Sequence, residues 1–383
     1  MVFDASLGFR GVSMAMKALT DHHQIGRVPS HEICIQWMLK FGLHKLSQPR
    51  EKEDRQWIWM ADHVVKAGPY KCLVIVGVRQ EQLIKRDDLT LSMKDVTPLA
   101  IVPMKASNGK TISSEYEKLV DRVGIPRAIV IDHGSDLKSG TGLFCSRYSP
   151  VQSSYDVVHK IALELSHFLQ NASEWQAFAS EASMAKKELQ LTDHHRIAPP
   201  NQRTKSRWMN VDVLTDWAQT MLANVDSGLY QLPPQLQWLY KYREMIQLWS
   251  QQIEVARITR HVVRVHGYSE QTSDVLQDHL LRIDTSAPQV EELACGLINF
   301  VEAESAQLEG QERLIGSTEV LESSFGWFKN LLGTTYWSKE GFGRLMLALA
   351  GKFGEISLEL VQQALETVMG SDVNDWLENA FMS

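Results

Sequence analysis

Apolar positions along this chain follow two rhythms. Between Trp57 and Gly134 they come in short blocks, "WIWMADH", "KCLVIVGVR", "DVTPLAIVPM" and "RAIVIDHG", separated by short turns such as Gly68-Pro69. Blocks of this length, rich in Val, Ile and aromatic residues, predict β-strands. The last block is apolar at consecutive positions, so the strand it predicts is buried on both faces, central and parallel. Between the third and fourth blocks "SSEYEKLVDRVG" has helical spacing and closes on Gly124. After the fourth block "SYDVVHKIALELSHFLQ" returns to the helical rhythm. The predicted order is β-β-β-α-β-α, an α/β core with a mixed sheet.

The second rhythm is helical and fills most of the remaining chain. Residues 8–46 predict two helices, "FRGVSMAMKAL" and "SHEICIQWMLKFGLHKL", across a turn at Gly26 to Pro29. Ser30 is placed to cap the second, and Ile33, Trp37, Leu39 and Phe41 supply its apolar positions. Such a pair fits a helix-turn-helix, whose second helix enters a DNA major groove, and equally fits an ordinary αα-hairpin. "LSQPREKEDRQ", residues 46–56, is polar and charged and predicts a linker. From residue 171 to 305 the pattern is almost wholly helical, broken at "IAPPN" and "QLPPQ", whose paired prolines cannot sit inside helices. Helical spacing resumes in "STEVLESSFGWFKNLL" and over residues 341–380. The expected organisation is therefore an N-terminal helical segment at 1–50, the first part of an α/β core at 55–170, a helical insertion at 171–310, and a return helix with C-terminal helices at 311–383.

Composition narrows the classes. With 383 residues, 44% of them hydrophobic, the chain can bury a substantial core. No apolar run approaches the roughly 18 residues a bilayer span needs, and the first thirty residues lack the blocks of a secretory signal, so an intracellular protein with no membrane partner is expected. Cys34, Cys72, Cys145 and Cys295 are too scattered for a zinc ribbon or a disulfide framework. A formal net charge of -7 gives no general attraction to nucleic acid, so any such contact must be local. The one basic stretch of note is "RIAPPNQRTKSRW", with Arg196, Arg203, Lys205 and Arg207 beside Trp208. It fits a segment that follows a phosphate backbone, or a solvated loop between helices.

The chemistry rests on carboxylates. Asp62 ends the first predicted strand and Asp132 the fourth, where a rigid sheet beneath can hold acids for a hard divalent cation. Taken singly, either fits equally well as a capping residue for the turn that comes after it. Asp136, four positions after Asp132, is expected to close that turn. In "STEVLESSFGWFK" the apolar set Leu321, Phe325, Phe328 and Leu332 faces the core, while Glu319 and Glu322 share another side. The helix dipole accounts for Glu319, one or two residues after a Ser317 or Thr318 cap; Glu322, further in, is the stronger ligand candidate.

The order of these pieces resembles the ribonuclease-H-like core of DDE transposases: an aspartate in the first strand, another ending the fourth, and a glutamate on a helix beyond a long helical insertion. Within that group it resembles Mutator-like and hAT elements and bacterial insertion-sequence transposases. "YDVVHK" is similar to the C/D-x-x-H pair of those families, as Asp156 and His159, and "STEVLESSF" is similar to the glutamate motif, as Glu322 and Ser323. The resemblance implies catalytic and metal-binding roles for Asp62, Asp132 and Glu322, auxiliary roles for Asp156 and His159, and two Mg²⁺ or Mn²⁺ ions as cofactor. It implies DNA as partner, at transposon ends and target, with the protein acting as a homo-oligomer on DNA in the cytoplasm or nucleoid. The reaction implied is phosphodiester hydrolysis and strand transfer. A nuclease on the same core and a DNA-binding derivative without catalysis remain the alternatives.

Overall fold

The computed structural model describes residues 9–23, 27–67, 70–170, 173–202, 210–308, 312–332 and 339–380. In chain order the elements are α1 (Phe9–His23), α2 (His31–Ser47), β1 (Trp57–Ala67), β2 (Tyr70–Arg79), α3 (Gln80–Ile84), β3 (Thr97–Met104), α4 (Gly109–Val123), β4 (Ala128–Ile131), α5 (Ser135–Arg147) and β5 (Gln152–Tyr155). After these come α6 (Val157–Gln170), α7 (Ser173–Leu189), α8 (Val211–Asp226), α9 (Arg243–His266), α10 (Thr272–Leu280) and α11 (Pro288–Ser305). The chain closes with α12 (Glu319–Leu332), α13 (Lys339–Lys352), α14 (Leu358–Thr367) and α15 (Gly370–Asn379). Contacts divide it into two units, one made of Met1–Asp156 with Leu314–Ser383, the other of Val157–Arg313.

The first unit is built on a five-stranded mixed sheet of order β3-β2-β1-β4-β5. β1, β2 and β3 pair antiparallel, whereas β4 lies parallel to β1 and β5 parallel to β4. Mixed α/β architecture with a sheet of this kind and a long helical segment is compatible with a ribonuclease-H-like fold carrying a helical insertion. The four strand blocks and the helix after the third stand where the apolar pattern places them; the helix expected directly after the fourth begins at Val157, beyond α5 and β5. Two elements go beyond the predicted order. α5, "SDLKSGTGLFCSR", has two glycines and three serines and little helical rhythm; β5, "QSSY", is four residues of mostly polar side chains at a sheet edge. Both are fixed by tertiary contacts that weak local propensity cannot announce.

Alternation along β1 sorts the sheet's two faces. Trp57, Trp59 and Ala61, with Leu73, Ile75, Ile129 and Ile131, join α4 and α5 in one buried cluster, where Trp59, Tyr116 and Phe144 meet ring against ring. Ile58, Met60, Val74, Val76 and Val130 point the other way and are fully buried too. α12 packs on β1, and α2 and α13 on β3. A sheet buried on both faces explains why its central strands read as continuous apolar runs.

Ser30 caps α2, its side chain accepting a hydrogen bond from the Ile33 backbone N–H. The second half of α2 is buried against α13 and α14, while Ile33 and Trp37 in its first half are exposed. The stretch 46–56, expected as a linker, begins inside α2, which includes Leu46 and Ser47, and the rest is tied down: Glu53 N–H donates to Val123 O, Arg55 N–H to Ile125 O, and Ile125 N–H to the Asp54 carboxylate. The second unit is helical and has its own aromatic core, in which Trp175, Phe178, Trp238, Tyr242 and Trp249 pack mainly edge to face. Such packing adds to area burial.

Candidate active site

Three parallel strands position the acids: Asp132 and Asp156 stand just past the ends of β4 and β5, whereas Asp62, expected at the end of the first strand, lies inside β1, which runs on to Ala67 and pairs Asp62 with Val74. Ala61 on β1 pairs with Ile131 on β4, and Ile131 pairs with Tyr155 on β5. The next residue on each strand is an aspartate: Asp62, Asp132 and Asp156. Neighbouring strands lie about 4.8 Å apart, so the three form a row across the sheet. The Asp156 N–H donates to Ile131 O at 3.0 Å, which carries the parallel ladder one step further. Ala61 and Ile131 point toward α4 and α5. Alternation within β1 therefore turns Asp62 toward the opposite face, whereas Asp132 lies past the last residue of β4 and its charge acts on Tyr116 and His63.

Each acid is held in place. Asp62 is buried and accepts a hydrogen bond from the His63 backbone N–H at 2.6 Å. Asp132 is half-buried and accepts from Gly134 N–H at 2.8 Å. A side chain on Gly134 would press on the Asp132 carboxylate, its Cβ only 3.1 Å from Oδ1. Between them His133 sits at φ 57°, a conformation uncommon for a side-chain-bearing residue, and its ring stacks on Tyr155 with centroids 3.9 Å apart. The strand thus ends in a sharp turn clamped from the neighbouring strand. Asp156 is fully buried and accepts from the Thr318 hydroxyl at 2.5 Å.

That hydroxyl links the row to α12. Ser317 and Thr318 start the helix: the Glu319 N–H donates to Ser317 Oγ, and the Leu321 and Glu322 N–H groups donate to Thr318 O. Leu321 and Phe325 face the core as expected, and the Phe328 and Leu332 side chains lie outside the described residues. Glu319 stays in the cap, whereas Glu322, half-buried, brings a carboxylate oxygen within 4.8 Å of one on Asp156. His159, half-buried, lies in the first turn of α6, three residues after Asp156. Of the basic stretch, Arg196 is placed, in a short turn after α7; Arg203, Lys205 and Arg207 lie outside the described residues.

A polar group beside the row had no signature in the sequence. Lys71 Nζ donates to Asp136 Oδ2 at 2.6 Å, His63 Nε2 lies 3.8 Å from the same oxygen, and Ser107 Oγ lies 3.1 Å from His63 Nε2. Burial opposes ionisation of Asp136, but hydrogen bonds from Lys71 and Ser107, with the charges of His63 and Lys71, outweigh it and hold the carboxyl well below the usual range. Burial pulls the His63 pKa down, partly offset by Asp136. Asp136 is therefore more than a turn residue: its ion pair ties the start of β2 to the first turn of α5. These partners come from β1, β2, the loop after β3 and α5, so spacing along the chain could not reveal them.

Asp156 and Glu322 bring carboxylate oxygens within 4.8 Å of one another; Asp62 and Asp132 do not join that group among the described residues. The carboxylates of Asp156 and Glu322, this close and partly shielded from water, repel one another unless a cation or a proton intervenes. The residues present therefore fit a divalent cation.

No family model matches the chain, and no curated protein sequence matches it. Among solved structures it is similar to a Drosophila P element transposase in a strand transfer complex, with 11% identity, a TM-score of 0.43, and coverage of 94% of this chain and 96% of that one. A likeness that loose carries no argument about the activity of this chain, which rests on its own residues.

Proposed function

We propose that the chain is a DNA transposase, a metal-dependent polynucleotidyl transferase with a ribonuclease-H-like core. The reading is supported above all by the equal register of Asp62, Asp132 and Asp156 along three parallel strands, with Glu322 brought beside Asp156 by α12. In it Asp62, Asp132 and Glu322 hold the metal. Asp156 and His159 are auxiliary: Asp156, anchored by Thr318, fixes the start of α12 and through it the aim of Glu322. Two divalent cations bound there would supply a nucleophile of lowered pKa, water or a DNA 3′ hydroxyl, and stabilise the leaving oxygen. The chain's own contribution is to hold acids on a rigid sheet so that no reorganisation is needed as charge develops. Segment 1–50 and the basic stretch with Arg196, Arg203, Lys205 and Arg207 are assigned to DNA contact, residues 171–310 to an insertion, and the working form to a homo-oligomer on transposon ends.

The test is cleavage and strand transfer on the DNA flanking the chain's own gene, with Mg²⁺ or Mn²⁺. Asp132→Asn is expected to lower both by more than the roughly 10–100-fold that loss of a group merely orienting a ligand costs. Equal activity in wild type and variant removes Asp132 from the chemistry. Cleavage without strand transfer identifies a nuclease on the same core instead.

A further inference from the structure

A cavity of about 590 Å³, away from the row of acids, lies in the first unit between the C-terminal end of α2, the edge strand β3, α4 and Trp376 of α15. Its size is that of a small-molecule site. Two arginines stand in its wall. Arg50 Nη2 donates to Lys45 O and Pro98 O, both at 2.8 Å; Arg122 donates through Nη1 to Leu99 O and through Nη2 to Leu46 O. Every one of these acceptors is a neutral backbone carbonyl. Among the described residues neither guanidinium pairs with a carboxylate, and the one acid in the lining, Glu115, is engaged by Lys118 at 2.6 Å.

The lining therefore carries two positive charges with no carboxylate partner among the described residues, one on the half-buried Arg50, whose Nη1 has no hydrogen-bond partner among them, and one on Arg122, which is exposed. Burial and the neighbouring Arg122 charge pull the Arg50 pKa down to about 10, and burial lowers that of Arg122. A structural role, stapling α2 to the edge of the sheet, accounts for the four carbonyl contacts. It does not account for the choice of two cations where neutral donors would serve, nor for the open volume beside them.

We propose that this cavity binds a small molecule with an oxyanion head and a flat apolar body, the head compensated by Arg50 and Arg122 and the body seated on Ala100, Val102 and Trp376. Planar guanidinium groups match carboxylate and phosphate oxygens. A concave wall of mixed polar and apolar surface suits a compact ligand better than the convex, wholly polar backbone of a duplex.

The probe is phenyl phosphate, titrated into the full chain by calorimetry, with sodium chloride at matched ionic strength as control. Saturable binding is expected, weaker for inorganic phosphate, and reduced at least about tenfold in Arg122→Gln, which keeps an amide donor for the carbonyls but loses the charge. Ala100→Phe fills the cavity with both arginines in place and is expected to lose binding to the same degree; it decides the matter if Arg122→Gln fails to fold. The proposal is overturned if phenyl phosphate gives no saturable signal, or binds the filled variant as well as wild type. It is overturned equally if inorganic phosphate binds as tightly, or if a short DNA duplex displaces the probe.

Discussion

Thr318 and Asp156 show how much rests on single side chains. The two are 162 positions apart in sequence, both fully buried, and joined through one hydroxyl. Thr318→Val conserves shape and leaves the carboxylate with one donor fewer, so it is expected to cost about 1.5–3 kcal/mol in urea denaturation. Lys45 poses the opposite problem, a buried cation. Its ammonium donates to Phe353 O at 2.5 Å and Gly351 O at 3.2 Å, at the C-terminal end of α13, and lies 4.6 Å from the centre of the Phe41 ring. Burial pulls its pKa down to about 8, partly countered by Glu355. The unfolded chain keeps this proton up to the ordinary lysine value of 10.5. Between those two values the unfolded state binds more protons, so stability rises with pH across that window. Denaturation curves from pH 8 to 10.5 are expected to show this component in wild type and to lack it in Lys45→Met.

Among elements, α2 is the most constrained. Its second half is clamped by α13 so closely that a Cβ on Gly42 would stand 1.8 Å from the carbonyl oxygen of Leu347. The obstacle is backbone, which cannot swing aside, so Gly42→Ala is expected to destabilise by about 3 kcal/mol or more, seen as a lower thermal midpoint. This packing also bears on the helix-turn-helix reading. The buried half serves the core, and only the first half of α2, with Ile33 and Trp37 exposed, is open to a partner. Ile33 and Trp37 satisfied the helical apolar spacing as well as Leu39 and Phe41 did, yet the structure buries only the latter two. A periodic pattern identifies an apolar stripe without saying how far along the helix its partner reaches.

At the scale of the whole molecule, a chain with net charge -7 concentrates acids where the proposed chemistry needs them. If the row binds a divalent cation, Mg²⁺ or Mn²⁺ is expected to raise the melting temperature by mass action, with roughly 2.7 kcal/mol of stabilisation at a free ion concentration 100 times Kd. Asp132→Asn is expected to remove most of that shift, measured by scanning calorimetry with and without EDTA. Among the described residues no helix is long and apolar enough to cross a membrane. Local pattern alone determined the four apolar strands, the helix after the third, the helix over 157–170, and the Ser30 and Ser317–Thr318 caps, because each is written in periodicity or in a short-range hydrogen bond. Tertiary structure decided the rest. It paired β5 and α5, whose propensities are weak, turned Asp136 toward Lys71 and His63, and brought Arg50 and Arg122 to one cavity. It also put Asp156 into register with Asp62 and Asp132. Strand order and register are properties of hydrogen bonds between distant segments, and no window along a single chain contains them.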